Sequence, residues 1–190
     1  MELIAYIGPM WSGKTEALKA FAEASIANEL NVGIFDHPNN NRNSVRDLSC
    51  NFPNTQKFRP EAILDAKLDV LIFDEVHLYD CFGTAELFLS TLKKATAKVA
   101  VLAGIYYDFY NDYRPFPIWN KLTLLRCEFR DTNPVTPCHI CGTWLGVRYT
   151  ASLGEPDRRV GDFYYNVCRT CGIQYLREWR AKHCELVKVN

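Results

Sequence analysis

The stretch ELIAYIGPMWSGKT, residues 2–15, determines the framework of the chain. Residues 2–7 alternate loosely between apolar and other side chains and predict a strand, whereas residues 14–30 carry apolar side chains at helical spacing. Between them, GPMWSGKT at 8–15 fits the pattern G-x-x-x-x-G-K-[ST], which forms a phosphate-binding loop when a strand precedes it and a helix follows. The sequence therefore predicts a nucleoside triphosphate site near the start of the chain.

The residue types of this loop suit a triphosphate. Its glycines let backbone N–H groups curl around phosphate oxygens, and the helix N-terminus adds a favourable dipole. We expect Lys14 to reach the terminal phosphates of ATP and Thr15 to bind the accompanying Mg²⁺. The loop residues predicted to bind ATP are Gly8, Pro9, Met10, Trp11, Ser12, Gly13, Lys14 and Thr15.

Further strands and helices alternate along the chain. Apolar runs predict buried strands at 31–35, 68–73, 98–104 and 122–129, and helices fit 60–66 and 82–94. Alternating β and α units favour a parallel sheet covered by helices on both faces. The fold class is therefore predicted to be α/β.

Two carboxylates follow the strand at 68–73. Asp74 ends that strand, and beside a phosphate loop its expected role is to hold Mg²⁺, directly or through water. Glu75 comes next in the sequence DEVH (74–77), which also resembles the ATPase motif of helicases. Two interpretations of Glu75 therefore remain open at this point, activation of a water and activation of a hydroxyl on a substrate.

Composition narrows the possible partners. The 190 residues contain 22 Lys plus Arg and 22 Asp plus Glu, and this zero net charge gives no indication of nucleic-acid binding. No apolar run approaches the roughly 20 residues of a membrane span, and no signal peptide precedes the first strand. Four of the eight cysteines are scattered and four form two pairs, which favours a reduced, cytoplasmic chain with one metal site.

The paired cysteines predict a zinc site. Both pairs have the spacing Cys-x-x-Cys followed by glycine, and four thiolates in a tetrahedron form a closed, structural Zn²⁺ site. His139 lies inside the first pair and is expected to be a bystander. The sequence character changes near residue 137, so we predict a nucleotide-binding domain at 1–136 and a zinc-binding domain at 137–190. The predicted metal ligands are Cys138, Cys141, Cys168 and Cys171.

Taken in order, the loop GPMWSGKT, the strand end DEVHLY, the segment YYDFYNDYRPF (106–116) and the four-cysteine site resemble the zinc-containing type II thymidine kinases over almost the whole chain. The resemblance implies a Rossmann-like domain, a C-terminal zinc-ribbon and lasso domain, and a cytoplasmic homotetramer. The implied reaction transfers the γ-phosphate of ATP to the 5′-hydroxyl of thymidine, deoxyuridine or a related pyrimidine nucleoside. Such an enzyme serves nucleotide salvage for DNA synthesis.

The resemblance also implies roles for individual residues. Glu75 matches the family's general base, and Arg42 matches an arginine that contributes to phosphate and Mg²⁺ binding. An aromatic ring stacks on the base, small and apolar side chains surround its methyl group, and a lasso closes over it. The residues that match these nucleoside-binding positions are Phe109 for the stacking ring, Met10, Ile105 and Thr150 for the methyl pocket, and Val160 and Tyr164 for the lasso.

The sequence departs from the family pattern around the expected acceptor site. Asn40 and Tyr106 stand where the family has aspartates, and His77 stands where it has glutamine. Two alternatives to a nucleoside kinase therefore remain, a non-catalytic nucleotide-binding module and, less favoured, a nucleic-acid-stimulated ATPase.

Overall fold

A computed structural model describes residues 1–40, 52–134, 136–152 and 164–182. Its centre is a six-stranded sheet with strand order β3-β2-β4-β5-β1-β8, in which every pairing is parallel. The predicted α/β class is therefore confirmed. The sheet strands are β1 (Glu2–Ile7), β2 (Val32–Asp36), β3 (Gln56–Lys57), β4 (Val70–Phe73), β5 (Val99–Gly104) and β8 (Glu128–Asp131).

Helices cover both faces of the sheet because its side chains alternate between two cores. Leu3 and Ala5 of β1 face one core, whereas Ile4 packs with Leu18 and Ala22 of the first helix in the other. The helices are α1 (Lys14–Ala27), α2 (Pro60–Leu64), α3 (Leu78–Cys81), α4 (Ala85–Lys94), α5 (Pro117–Leu124) and α6 (Arg169–Lys182). In the described part of the chain, no helix combines the length and apolar character needed to cross a membrane.

The sheet topology positions the predicted phosphate site. Strand β5 lies between β1, which leads into the loop 8–15, and β4, which leads into Asp74. Because all three strands are parallel, their carboxyl ends meet at one edge of the sheet. The loop and the two carboxylates therefore lie on the same edge.

The expected strand at 122–129 was wrong over its first half. Residues up to Leu124 complete α5, because Pro117 starts a helix whose Ile118, Trp119 and Leu122 are buried. Arg126 then takes a left-handed conformation with φ 59°, and the strand begins only at Glu128. Periodicity in a short apolar run does not distinguish a buried helix end from a strand.

The expected helix at 82–94 begins later than predicted. Gly83 has φ 67° and separates α3 from α4, so residues 82–84 form a turn. The first helix ends at Ala27 rather than residue 30, since Glu29 takes φ 57°. Both helix boundaries differ from the prediction because Gly83 and Glu29 have a left-handed backbone conformation, which interrupts a helix.

The C-terminal part forms its own core. Strands β9 (Val147–Ser152) and β10 (Tyr164–Cys168) pair antiparallel, and α6 packs against them. This core also receives Phe109 and Tyr113, which lie in the segment between β6 (Tyr107–Asp108) and β7 (Arg114–Pro115). Since residues before 137 contribute to it, the domain boundary at 136/137 stays a prediction.

Candidate functional site

The loop at 8–15 curls over the end of β1. Trp11 and Gly13 have φ 57° and 85°, and these left-handed residues turn the chain back into α1. The side chain of Lys14 is buried, and its Nζ donates to the Pro9 carbonyl at 2.5 Å and to Ser12 Oγ at 3.4 Å. Lys14 thus lies across the inside of the loop, where a triphosphate is expected to bind.

A residue after β8 supports the loop from outside. Thr132 Oγ1 lies 2.6 Å from Ser12 Oγ and donates to the Ile7 carbonyl at 3.0 Å. A Cβ at Gly8 would lie 2.3 Å from Thr132 Oγ1 and 2.7 Å from Ser12 Oγ. Glycine is therefore required at position 8 for this close approach. No sequence motif pointed to Thr132, because its contact spans 120 positions.

Asp74 and Thr15 meet as expected for a Mg²⁺ site. Thr15 Oγ1 donates to Asp74 Oδ2 at 2.8 Å, and the Glu75 N–H donates to Asp74 Oδ1 at 2.8 Å. Burial and the neighbouring Glu75 charge raise the pKa of Asp74 to about 7, although the Thr15 hydroxyl opposes this shift. A hydroxyl and a carboxylate oxygen this close fit Mg²⁺, which prefers oxygen ligands and would stabilise the ionised carboxylate.

Glu75 occupies a tight turn beside this pair. It has φ 54°, a left-handed conformation that costs a non-glycine residue about 1–2 kcal/mol. Two hydrogen bonds hold the turn, from Val76 N to the Ala103 carbonyl at 2.8 Å and from Leu78 N to the Glu75 carbonyl at 2.9 Å. Such strain at a buried carboxylate is typical of functional sites.

An inner cavity, lined by His77 two residues after Glu75, collects most of the expected nucleoside-binding residues. Ile105, Phe109, Thr150 and Tyr164 line it together. Met10 contacts this wall through its N–H, which donates to Thr150 Oγ1 at 3.0 Å. The remaining lining residues, which the sequence analysis did not single out as ligands, are His77, Cys81, Tyr107, Asp108, Tyr110 and Phe116.

The inner cavity is narrow. Its free space is about 30 Å³, enough for one or two water molecules. A nucleoside therefore enters only if lining side chains move. Arg42 and Val160, which were also expected at the site, lie outside the described residues.

Phe109 lines the inner cavity and also packs in the C-terminal core. Its ring packs edge-to-face against Tyr113 and Trp179, with centroids 5.6 Å apart in both pairs, and it belongs to the C-terminal core. Tyr106 lies outside the inner cavity and lines a separate 240 Å³ cleft with Gly8 and Arg148. Aromatic core packing, rather than a pocket alone, thus explains much of the segment 106–116.

Asn40 is tied into the end of β2. Its side-chain Nδ2 donates to Asp36 Oδ1 at 2.9 Å, and its backbone carbonyl accepts from Lys57 Nζ at 2.6 Å. Nearby, burial and the Lys57 charge lower the pKa of His37 to about 4, so this imidazole is neutral near pH 7. Residues 37–40, directly after β2, are therefore held by polar contacts to β2 and β3, on the side of the sheet away from β5.

The four paired cysteines converge. The Sγ atoms of Cys138, Cys141, Cys168 and Cys171 all lie within 4.8 Å of one another, and the Cys141–Cys168 separation is 3.9 Å. Tetrahedral Zn²⁺ with Zn–S bonds of about 2.3 Å requires sulfurs about 3.8 Å apart, so the donor set fits zinc. Burial raises the pKa of Cys138, but N–H groups of the two knuckles outweigh it and bring that pKa to about 6, which favours the thiolate.

His139 does not belong to this ligand group. Its ring stacks on Tyr165 at a centroid distance of 4.7 Å, and its N–H donates to the Asn166 carbonyl at 3.0 Å. Both contacts hold the first knuckle against β10. Its role here is packing of the knuckle.

Comparison with known proteins gave one family. A family model described as thymidine kinase matches residues 1–172, a span that includes the phosphate loop, both carboxylates and all four paired cysteines. A search of curated proteins gave no match.

Proposed function

The chain belongs to the thymidine kinase family, and from that membership we propose that it transfers the γ-phosphate of ATP to the 5′-hydroxyl of a pyrimidine deoxynucleoside, thymidine or deoxyuridine. Membership makes it a nucleoside kinase with ATP and a nucleoside as substrates. The observation that carries the finer proposal is the position of Glu75, directly after Asp74 and with Oε2 3.5 Å from Nδ1 of His77, which lines the inner cavity.

The donor side comprises the loop and the Asp74–Thr15 pair. Backbone N–H groups of 8–15 bind the triphosphate, and Lys14 neutralises charge on the terminal phosphates. Thr15 and Asp74 hold Mg²⁺, which polarises the transferred phosphoryl group when bound. Their 2.8 Å hydrogen bond supports this assignment, since both oxygens already point to one place. Arg42 adds a further positive charge by family resemblance.

The acceptor side is the inner cavity. Ile105 and Thr150 contact the base, Met10 supports Thr150, and Phe109 offers the part of its ring that is not used in the C-terminal core. Tyr164 is the first residue of β10, and Val160 is assigned to the acceptor side by the family resemblance alone. A flat apolar base with a few polar atoms suits such a lining.

Glu75 is the proposed general base. A 5′-hydroxyl has a pKa far above 7, so a carboxylate positioned to accept its proton assists attack on the γ-phosphorus. Asp74 Oδ2 accepts from Thr15 and Oδ1 from the Glu75 N–H, whereas Glu75 itself takes the left-handed conformation that turns the chain. Adjacent carboxylates thereby serve different partners, the metal and the acceptor.

Zinc has a structural role in this proposal. Four thiolates fill a tetrahedron and leave no open coordination position, so bound Zn²⁺ stabilises the C-terminal core. Cys138 and Cys168 are buried in that core, next to β9 and β10.

A panel of nucleosides tests the proposal. Each is incubated with ATP and Mg²⁺, and 5′-monophosphate is quantified by chromatography. Thymidine or deoxyuridine should be phosphorylated faster than purine nucleosides. ATP hydrolysis that depends on added DNA, without any nucleoside monophosphate, would instead support the ATPase alternative.

A further inference from the structure

His77 lies between the proposed base and the wall of the inner cavity. Its Nδ1 is 3.5 Å from Glu75 Oε2 and accepts from the Ile105 N–H at 3.3 Å. The imidazole also packs against the ring of Phe116, with centroids 5.2 Å apart. It thus touches the Glu75 turn on one side and two cavity residues on the other.

The fold fixes the position of this ring. The His77 side chain is 5% exposed. A Cβ at Gly104 would lie 3.1 Å from Nδ1, 3.2 Å from the His77 backbone N and 2.9 Å from Trp119. Glycine at the end of β5 therefore makes room for the imidazole, and Trp119 Nε1 donates to the Ile105 carbonyl at 2.9 Å, so both backbone polar groups of Ile105 are held.

The hydrogen-bond pattern determines where the imidazole proton is. The Ile105 N–H can only donate, so Nδ1 must accept, and a neutral imidazole with an accepting Nδ1 carries its proton on Nε2. A protonated Nδ1 would direct its hydrogen toward the Ile105 N–H. In the Nε2–H form, Nδ1 gives no proton to Glu75, whose Oε2 remains a proton acceptor.

We propose that His77 is a positioning residue of the phosphoryl transfer, held as the neutral Nε2–H tautomer. It joins the Glu75 turn to Ile105 in the cavity wall and leaves the Glu75 carboxylate basic. This inference rests on the role of Glu75 in the proposed function.

The same geometry explains why histidine replaces glutamine here. A glutamine carbonyl can accept from the Ile105 N–H while its amide donates on the far side, and the Nδ1 and Nε2–H of the imidazole reproduce that pair. The DEVH sequence is then equivalent to the family's D-E-x-Q and needs no helicase-like function.

Nitrogen-15 NMR of the uniformly labelled full chain tests the tautomer directly. The His77 ring signals are assigned by their loss in His77→Gln. Near pH 7 the spectrum should show an unprotonated Nδ1 and a protonated Nε2. A protonated Nδ1, in either the other tautomer or the imidazolium, would overturn the proposal.

Kinetics test the positioning role with three variants. His77→Phe keeps a ring but removes the acceptor, and His77→Asn keeps an amide that is one methylene shorter than that of His77→Gln. Misplacement by about 1 Å costs up to about 100-fold in rate, so we expect kcat to fall about 10- to 100-fold in His77→Phe, which has no acceptor, and less in His77→Asn, whose Oδ1 is as far from the backbone as Nδ1. His77→Gln should recover to within about threefold of wild type. The Kd for ATP should stay within about twofold in all three, since the contacts described for His77 are with Glu75, Ile105 and Phe116 on the acceptor side.

The outcomes separate this inference from the proposed function. A His77→Gln enzyme as slow as His77→Phe, or a His77→Phe enzyme at wild-type rate, would refute the positioning role. If Glu75→Gln itself retained nucleoside phosphorylation, the proposed function would fail first. If one of the variants failed to fold, the NMR result on wild type would still decide the tautomer.

Discussion

Replacement of Gly8 by alanine tests whether Thr132 sets the shape of the phosphate loop. The new Cβ would lie 2.3 Å from Thr132 Oγ1, whereas ordinary contacts begin at 3.4 Å, so one side must move by about 1 Å. Thr132 cannot move freely, because Ser12 Oγ and the Ile7 carbonyl both hold its hydroxyl. We therefore expect the loop to shift, with overpacking that costs about 1–3 kcal/mol of unfolding free energy.

Isothermal titration of ATP and thermal unfolding measure this effect. ATP binding needs the undistorted loop, so a cost of about 1–3 kcal/mol should weaken ATP affinity by roughly 5- to 150-fold, at about 1.4 kcal/mol per factor of ten. Thr132→Ala alone is the control, and the double variant Gly8→Ala/Thr132→Ala should recover part of the loss, since the closest atom is gone while Ser12 Oγ at 2.7 Å remains. Wild-type affinity and stability in Gly8→Ala, or no recovery in the double variant, would refute the account of this loop.

Three further variants test the rest of the site. Asp74→Asn should raise thermal stability in Mg²⁺-free buffer above about pH 7, and the gain should vanish below about pH 4. The reason is that folding raises the pKa of the Asp74 carboxyl from 3.8 to about 7, so the carboxyl destabilises the fold when it ionises. An equal gain in stability at both pH values would contradict this. Cys168→Ser should lose zinc by elemental analysis and unfold at lower temperature, whereas Cys127→Ser should keep its zinc; full stability without metal would exclude a structural site. Lys14→Ala should abolish phosphoryl transfer in the nucleoside assay, and near-normal turnover would mean that the loop is not the ATP site.

The strand and loop at the start of the chain were predictable because local signals agree there. An apolar strand, two glycines that allow the turn, and a helix pattern all point to one conformation. The Asp74–Thr15 contact followed from the same reasoning, since parallel strands bring their carboxyl ends to one edge of the sheet. The helix end at Leu124 was missed because a short apolar stretch fits either a helix or a strand, and the turn at Gly83 was missed because one glycine in a helical pattern does not by itself reveal a left-handed conformation.

The inner cavity was predictable only through the family resemblance. Its walls come from segments after β4, after β5 and from β9 and β10, and no local pattern joins them. Thr132 and the His77–Ile105 contact had no motif, since each depends on tertiary packing. Phe109 illustrates the limit of residue matching, because a matched position also packs in a core that spacing does not reveal.

Comparison of wild type with Glu75→Gln tests the central claim most directly. The variant keeps the shape of the side chain but cannot accept a proton, and loss of a general base typically costs about 10²- to 10⁴-fold in rate. With ATP, Mg²⁺ and thymidine, we predict that kcat for 5′-monophosphate falls in that range while ATP and thymidine still bind with near-wild-type Kd. Unchanged phosphorylation by Glu75→Gln, with loss only of an ATPase activity stimulated by nucleic acid, would contradict the assignment of Glu75 as the base of a nucleoside kinase.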